Sequence, residues 1–106
     1  MRGDVHRLHG PRSPRSRQRS GSRFAVVLQS DSLLLSTLLV APTSTSSRPA
    51  WFRPEVTIAG APTRVLLEQT AAVDLSRLGD AEGHLTADEM GEVDRALEVV
   101  MGLDDR

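Results

Sequence analysis

The chain has 106 residues and a formal net charge of −1, enough for one domain around one modest core. It contains no cysteine, which excludes disulfides, a thiolate nucleophile and cysteine-based zinc sites. No apolar run reaches the ~18–20 residues of a membrane-spanning helix, and Arg, Ser, Pro and Gly stand where a secretory leader needs apolar residues, so a cytoplasmic protein is expected.

In chain order, residues 3–9 carry Val5 and Leu8 among polar residues, a weak strand signal. Residues 10–22 (GPRSPRSRQRSGS) have no large apolar side chain, cannot bury enough surface to fold alone, and predict a long flexible loop inside a single domain spanning 1–106. The continuous apolar run 23–29 (RFAVVLQ) suits a buried strand. A turn at Gln29-Ser30-Asp31-Ser32 leads to a second strand over 35–41, antiparallel by its short connection and stopped by Pro42. Thr43 to Pro49 reads as polar loop. Residues 51–58 alternate in part, and Pro54 puts that strand at an edge. Gly60-Ala61-Pro62 reads as a turn, 64–68 as another buried strand, and Val73 to Leu78 as a short helical turn before a weak strand ahead of His84.

The last element is the clearest. Thr86 followed three residues later by Glu89 is a capping-box pattern, and Asp88 and Glu89 suit the positive end of a helix. Met90, Val93, Leu97 and Val100 recur at helical spacing, and Gly102 supplies a left-handed C-cap. Strands followed by one helix predict a small α+β domain, mostly antiparallel, with about five strands.

Charge is unevenly placed. All 13 basic residues are arginine. Residues 1–23 hold seven of them against one acid, Asp4, while residues 24–106 hold six against thirteen acids. A basic N-terminal stretch on an acidic body points to an anionic partner, and its plain alternative is a solvated arginine-rich loop. A domain of this size is marginal alone, which makes self-association plausible.

Several motifs carry a family resemblance. They are Gly3-Asp4-Val5, Arg23 with the apolar run to Gln29-Ser30-Asp31, Val40-Ala41-Pro42-Thr43, Leu66-Leu67-Glu68-Gln69, and a tail from Arg77-Leu78 through Gly83-His84-Leu85 to the helix. In this order they resemble the MazF/PemK family of mRNA interferase toxins. The chain departs from the family pattern at His6 for an aromatic, Phe24 for a proline, Arg17 and Gln18 near a loop glutamate, and Thr70-Ala71 after Glu-Gln. The resemblance implies an SH3-like barrel of the CcdB/PemK type, a homodimer, and metal-independent, sequence-specific cleavage of single-stranded RNA with no cofactor. It also implies a MazE-type antitoxin as partner, and it maps the catalytic residues onto Arg23 and Thr43.

Those residue types fit that chemistry. A guanidinium matches two phosphate oxygens and stays protonated, so Arg23 suits charge stabilisation better than proton abstraction. Thr43 offers a hydroxyl from a neighbouring strand end. By spacing alone, the plain readings are a strand-flanking surface arginine and a loop threonine bonded to its own backbone. Arg12, Arg15, Arg17 and Arg19 would hold an RNA backbone electrostatically, and Gln69 is a further candidate contact. Trp51 and Phe52 read first as core or interface packing and second as a base-stacking platform. His6 and His9 lie on opposite strand faces, which argues against a metal site. Two rival readings remain at this stage. One is a CcdB-like gyrase poison, against which Leu103-Asp104-Asp105-Arg106 lacks an apolar-aromatic ending. The other is a homologue that binds RNA without cutting it.

Overall fold

The apolar runs form the centre of a curled antiparallel sheet. The computed structural model describes residues 1–9 and 23–104. The arginine-rich segment 10–22, with Arg12, Arg15, Arg17 and Arg19, lies outside the described residues, as do residues 105–106.

Seven strands are described: β1 (Asp4–Leu8), β2 (Arg23–Val27), β3 (Thr37–Ser44), β4 (Glu55–Ile58), β5 (Ala61–Val65), β6 (Ala71–Asp74) and β7 (Leu78–His84). One helix follows, α1 (Ala87–Val100). The spatial order is β4-β5-β3-β2-β1-β7, with β6 beside the first half of β3. The sheet curls into a half-barrel with the helix against it, an α+β fold.

Two apolar layers flank the sheet. The larger joins Val5, Val26, Leu28, Ala41, Val56, Val65 and Leu67 to Val93 and Ala96 of α1, with Phe24, Met90, Leu97 and Val100 packed around them. The smaller joins Ala25, Val27, Val40 and Val73, with Leu8, Leu38 and Leu78 beside them. Alternate residues of β2 therefore enter different layers, which is why 23–29 reads as a continuous apolar run. Val93 is fully buried, and burial of such a side chain contributes roughly 1.5–3 kcal/mol relative to leaving it exposed.

The helix forms as its sequence predicts. Thr86 Oγ1 accepts the Glu89 N–H at 3.1 Å, and Glu89 Oε1 accepts the Thr86 N–H at 2.9 Å. Glu89 Oε2 also accepts the Thr57 N–H of β4 at 2.9 Å, tying the helix start to the strand at the sheet edge. Gly102 closes the helix with φ +74°.

Three expectations are corrected. The strand after β2 does not stop at Pro42 but runs through it to Ser44. The Pro42 C=O accepts the Leu66 N–H. In a strand the N–H and C=O of one residue point the same way, so the missing donor faces that side rather than β2. There β3 is changing partner, from β6 at Val40↔Ala71 to β5 at Thr43↔Val65, and no ladder bond is lost. The hairpin after β4 turns at Ala59-Gly60, with φ +52° and +79°, rather than at Gly60-Ala61-Pro62. That shift moves β5 to Ala61–Val65 and leaves Leu67–Gln69 as a 3-10 turn. Seven strands stand where about five are expected. β7 takes the place of the weak strand expected ahead of His84, while β6, with Val73 as its one buried residue, occupies the start of the stretch read as a helical turn, of which Leu75–Arg77 alone is helical.

Candidate functional site

One end of the sheet gathers the start of β2, the end of β3 and the loop 45–54. Arg23 opens β2 and pairs across with Leu8 of β1. It is exposed, and its side chain has no hydrogen-bond or ion-pair partner among the described residues. Since Leu8 packs on the smaller apolar layer, the cross-strand pair puts Arg23 on that face of the sheet.

Thr43 is not the loop residue its surroundings suggest. It lies inside β3, 3% exposed, opposite Val65 of the larger core. Its Oγ1 donates to the Phe24 carbonyl at 2.8 Å. Continuing the β2–β3 register from Ala25↔Pro42 places Phe24 across from Thr43 and Arg23 across from Ser44. Arg23 and Thr43 thus share one end of two adjacent strands and are linked through the Phe24 backbone. Their side chains leave the sheet on opposite faces. Phe24, standing where the family carries proline, packs its ring beneath the Arg7 guanidinium at 4.9 Å, and Arg7 Nε donates to Glu82 at 2.6 Å.

Beside this end, Leu67–Gln69 presents Glu68 to the loop 45–54. Arg53 donates from Nε and Nη2 to Glu68 Oε2 at 2.9 and 2.6 Å. Burial by itself would raise the Glu68 pKa, but the Arg53 hydrogen bond and charge, with help from Gln69, hold it below the ordinary glutamate value. Gln69 is exposed, and its side chain adjoins Glu68. Arg53 also donates through Nη1 to the Arg48 carbonyl at 3.2 Å, and its own carbonyl accepts from Arg64 Nη1 at 2.9 Å.

The aromatic pair is not packed in the core of the single chain. Phe52 is half-buried, but Trp51 is 73% exposed and meets Phe52 edge-on at 5.7 Å. The signal that finds Trp51 as a surface group is its company: Pro49, Ala50, Arg53 and Pro54 offer no apolar period to bury it.

Two of the three histidines make structural contacts through their side chains. His6 Nδ1 lies 2.8 Å from the Gly79 carbonyl, and His84 Nδ1 lies 2.7 Å from Asp4 Oδ1. The His84 hydrogen bond, the largest influence, draws the Asp4 pKa below its ordinary value. Gly3 next door has φ +91°, and a Cβ there would stand 3.3 Å from the His84 ring, so the Gly-Asp pair serves both turn and contact. Among the described residues no three His, Asp or Glu side chains are grouped to hold a metal ion.

Comparison with known proteins agrees with this architecture. Residues 1–101 match the family described as "PemK-like, MazF-like toxin of type II toxin-antitoxin system". The chain belongs to this family and is a toxin of a type II toxin–antitoxin system. It is 36% identical over 104 residues to the protein Rv3098A/RVBD_3098A of Mycobacterium tuberculosis (strain ATCC 25618 / H37Rv), covering 97% of this chain and 98% of that one. Its fold superposes on the Mycobacterium tuberculosis toxin MazF-mt6 with a TM-score of 0.75 at 18% identity, covering 93% of this chain and 96% of the other. It also superposes on an endoribonuclease in complex with its cognate antitoxin from a mycobacterial species, with a TM-score of 0.79 at 17% identity over 97% of this chain and 95% of that one.

Proposed function

We propose that this toxin is a sequence-specific, metal-independent endoribonuclease acting on single-stranded RNA in the cytoplasm. The observation that carries the reading is Arg23, an exposed guanidinium without a partner among the described residues, at the start of the strand that follows the arginine-rich segment in the sequence.

In the proposed reaction the 2′-oxygen of one nucleotide attacks the adjacent phosphorus and loses its proton. The bond to the 5′-oxygen breaks, and that oxygen gains a proton. The products are a 2′,3′-cyclic phosphate and a free 5′-hydroxyl. Extra negative charge gathers on the phosphate oxygens in between. Arg23 offers two parallel N–H donors to those oxygens, fixed on a strand rather than a loop. Thr43 is the second site residue. In this conformation its hydroxyl proton is committed to Phe24, so it holds the strand end that carries Arg23. Buried and on the sheet face opposite Arg23, it would meet the same phosphate only if this strand end opened and released the Phe24 carbonyl. Arg12, Arg15, Arg17 and Arg19 would supply salt-dependent attraction for the RNA backbone, with Gln69 a contact at the other side of the same end.

The partners follow from the same reading. They are single-stranded RNA, a second copy of the chain, and an antitoxin of MazE type, a solved relative being described as bound to its cognate antitoxin. Membership of the PemK/MazF family favours RNA over gyrase as target.

The test is incubation of the purified protein with a long, weakly structured RNA in EDTA, with the ends mapped by primer extension. Discrete cuts at a recurring short sequence are expected. Arg23→Ala should lower the cleavage rate by about 100- to 1,000-fold, as loss of one transition-state donor does, while the circular dichroism spectrum is unchanged. Undiminished cutting by that variant would remove Arg23 from the mechanism.

A further inference from the structure

Among the described residues most arginines are paired with a carboxylate, and the two guanidinium groups left without a partner lie close together. Arg2, Arg7, Arg53, Arg64 and Arg95 each pair with a carboxylate, respectively Asp94, Glu82, Glu68, Glu55 and Glu92. Arg77 Nε donates to the His9 carbonyl. The guanidinium groups of Arg23 and Arg48 have no partner among the described residues. The two belong to one end of the sheet: Ser44, across from Arg23 by the β2–β3 register, leads within four residues to Arg48.

Three residues beyond Arg48 stands Trp51, 73% exposed. A loop that left an indole in water by default would be loosely held. This one is tied at several points. The Arg53 N–H donates to the Ala50 carbonyl at 2.9 Å, and Arg53 Nη1 reaches the Arg48 carbonyl. Both Arg53 Nε and Nη2 grip Glu68. Arg64 Nη1 holds the Arg53 carbonyl from β5. Beneath the indole, Phe52 is fixed edge-on to it and carries the Arg53 guanidinium over its ring at 5.6 Å. The Arg53–Glu68 pair therefore consumes one cation to brace the loop, and leaves Arg48 and Trp51 projecting from it.

We propose that the β3–β4 loop is a base-reading element of the RNA site, in which Trp51 stacks on a nucleobase and Arg48 meets a neighbouring phosphate. This rests on the ribonuclease reading above and extends it to specificity. An exposed aromatic face next to an uncompensated cation, on a braced loop, matches what single-stranded nucleic acid presents: flat bases alternating with anionic phosphates. Bracing before binding reduces the ordering entropy lost when the base docks.

The chain has a single tryptophan, so its fluorescence reports on Trp51 alone. The full-length protein is titrated with a randomised single-stranded 2′-O-methyl RNA, which lacks the attacking hydroxyl and stays intact. Binding is followed in parallel by anisotropy of an end label on the RNA. Quenching of Trp51 that saturates with the anisotropy is expected. Trp51→Ala should weaken binding about tenfold or more, Trp51→Phe should recover most of it, and Arg48→Gln should flatten the salt dependence. Binding without quenching, and equal affinity in Trp51→Ala, would overturn stacking while leaving the ribonuclease reading intact. No binding by any variant would overturn both. If Trp51→Ala binds and cuts RNA normally but loses the antitoxin, the loop is a protein contact and the proposal fails.

Discussion

Glu89 shows how much one side chain settles in this fold. Its two oxygens accept from two different elements, Thr86 at the helix start and Thr57 on the edge strand. Burial opposes the charge, but the two backbone donors outweigh it and hold the pKa below the ordinary value of roughly 4.3. Asp4 and Glu68 are shifted the same way. A depressed folded-state pKa means that the unfolded chain binds the proton more readily. The stabilisation is complete above the unfolded value and is lost as pH falls through the folded one. Glutamine at 89 keeps one acceptor oxygen for the cap, but its amide N cannot accept from Thr57. Glu89→Gln should therefore cost about 1 kcal/mol in urea unfolding at neutral pH, Glu89→Ala about 2 kcal/mol, and both should show a shallower acid decline than the parent protein. Parallel acid limbs for all three proteins would mean that Glu89 does not carry that dependence.

The β4–β5 hairpin contains a visible compromise at the scale of the element. Ile58↔Ala61 closes a two-residue turn whose residues, Ala59 and Gly60, both have positive φ. That backbone matches the twist of the flanking strands, but it strains an alanine by about 1–2 kcal/mol. Asparagine tolerates the left-handed region and is the favoured first residue of this turn. Ala59→Asn should raise the melting temperature by about 3–6 °C, corresponding to roughly 0.5–1 kcal/mol in a domain of this size. A lower melting temperature would show that the alanine makes a compensating contact. Sequence reading places this turn one to two residues late, because Gly-Ala-Pro is a stronger local turn signal than Ala-Gly. In the folded chain the β4–β5 register, with Ile58 opposite Ala61, puts the turn at the earlier position.

For the whole molecule, the telling feature is what the single chain leaves uncovered. Leu33, Leu34 and Leu35, in the connection before β3, are 52%, 92% and 57% exposed, and Leu39 on β3 is also open. Buried Gln29 braces that connection, donating to the Leu33 carbonyl and accepting the Leu39 N–H. Three consecutive exposed leucines on a braced segment suit association with a second copy of the chain, since burying each contributes roughly 1.5–3 kcal/mol. Leu34→Asp should raise the dissociation constant of the proposed dimer at least tenfold by sedimentation equilibrium. An unchanged constant would place self-association on another surface.

Much of the architecture is legible in local patterns. The α1 cap, its apolar stripe and its glycine stop are all short-range, and so is the apolar run of β2. The edge position of β4 matches the reading from Pro54, but not for its reason: the proline precedes the strand, and its carbonyl accepts from Val65, so its missing donor faces β5 rather than the open edge. Arg23 becomes a candidate through the family resemblance, since by spacing alone it reads as a strand-flanking surface arginine. The tertiary structure alone decides where Thr43 sits. Its neighbours Pro42 and Ser44 suggest a loop, but a change of strand partner absorbs the proline, carries the strand onward and buries the hydroxyl against Phe24. Pairing also creates β6, which has one buried apolar residue, and extends the weak strand ahead of His84 into β7. The tie between Arg53 and Glu68, 15 residues apart, is likewise invisible in the sequence. Patterns with a period shorter than a helical turn are set by the chain's own neighbours. Contacts that depend on which strand lies beside which are set only when the sheet closes.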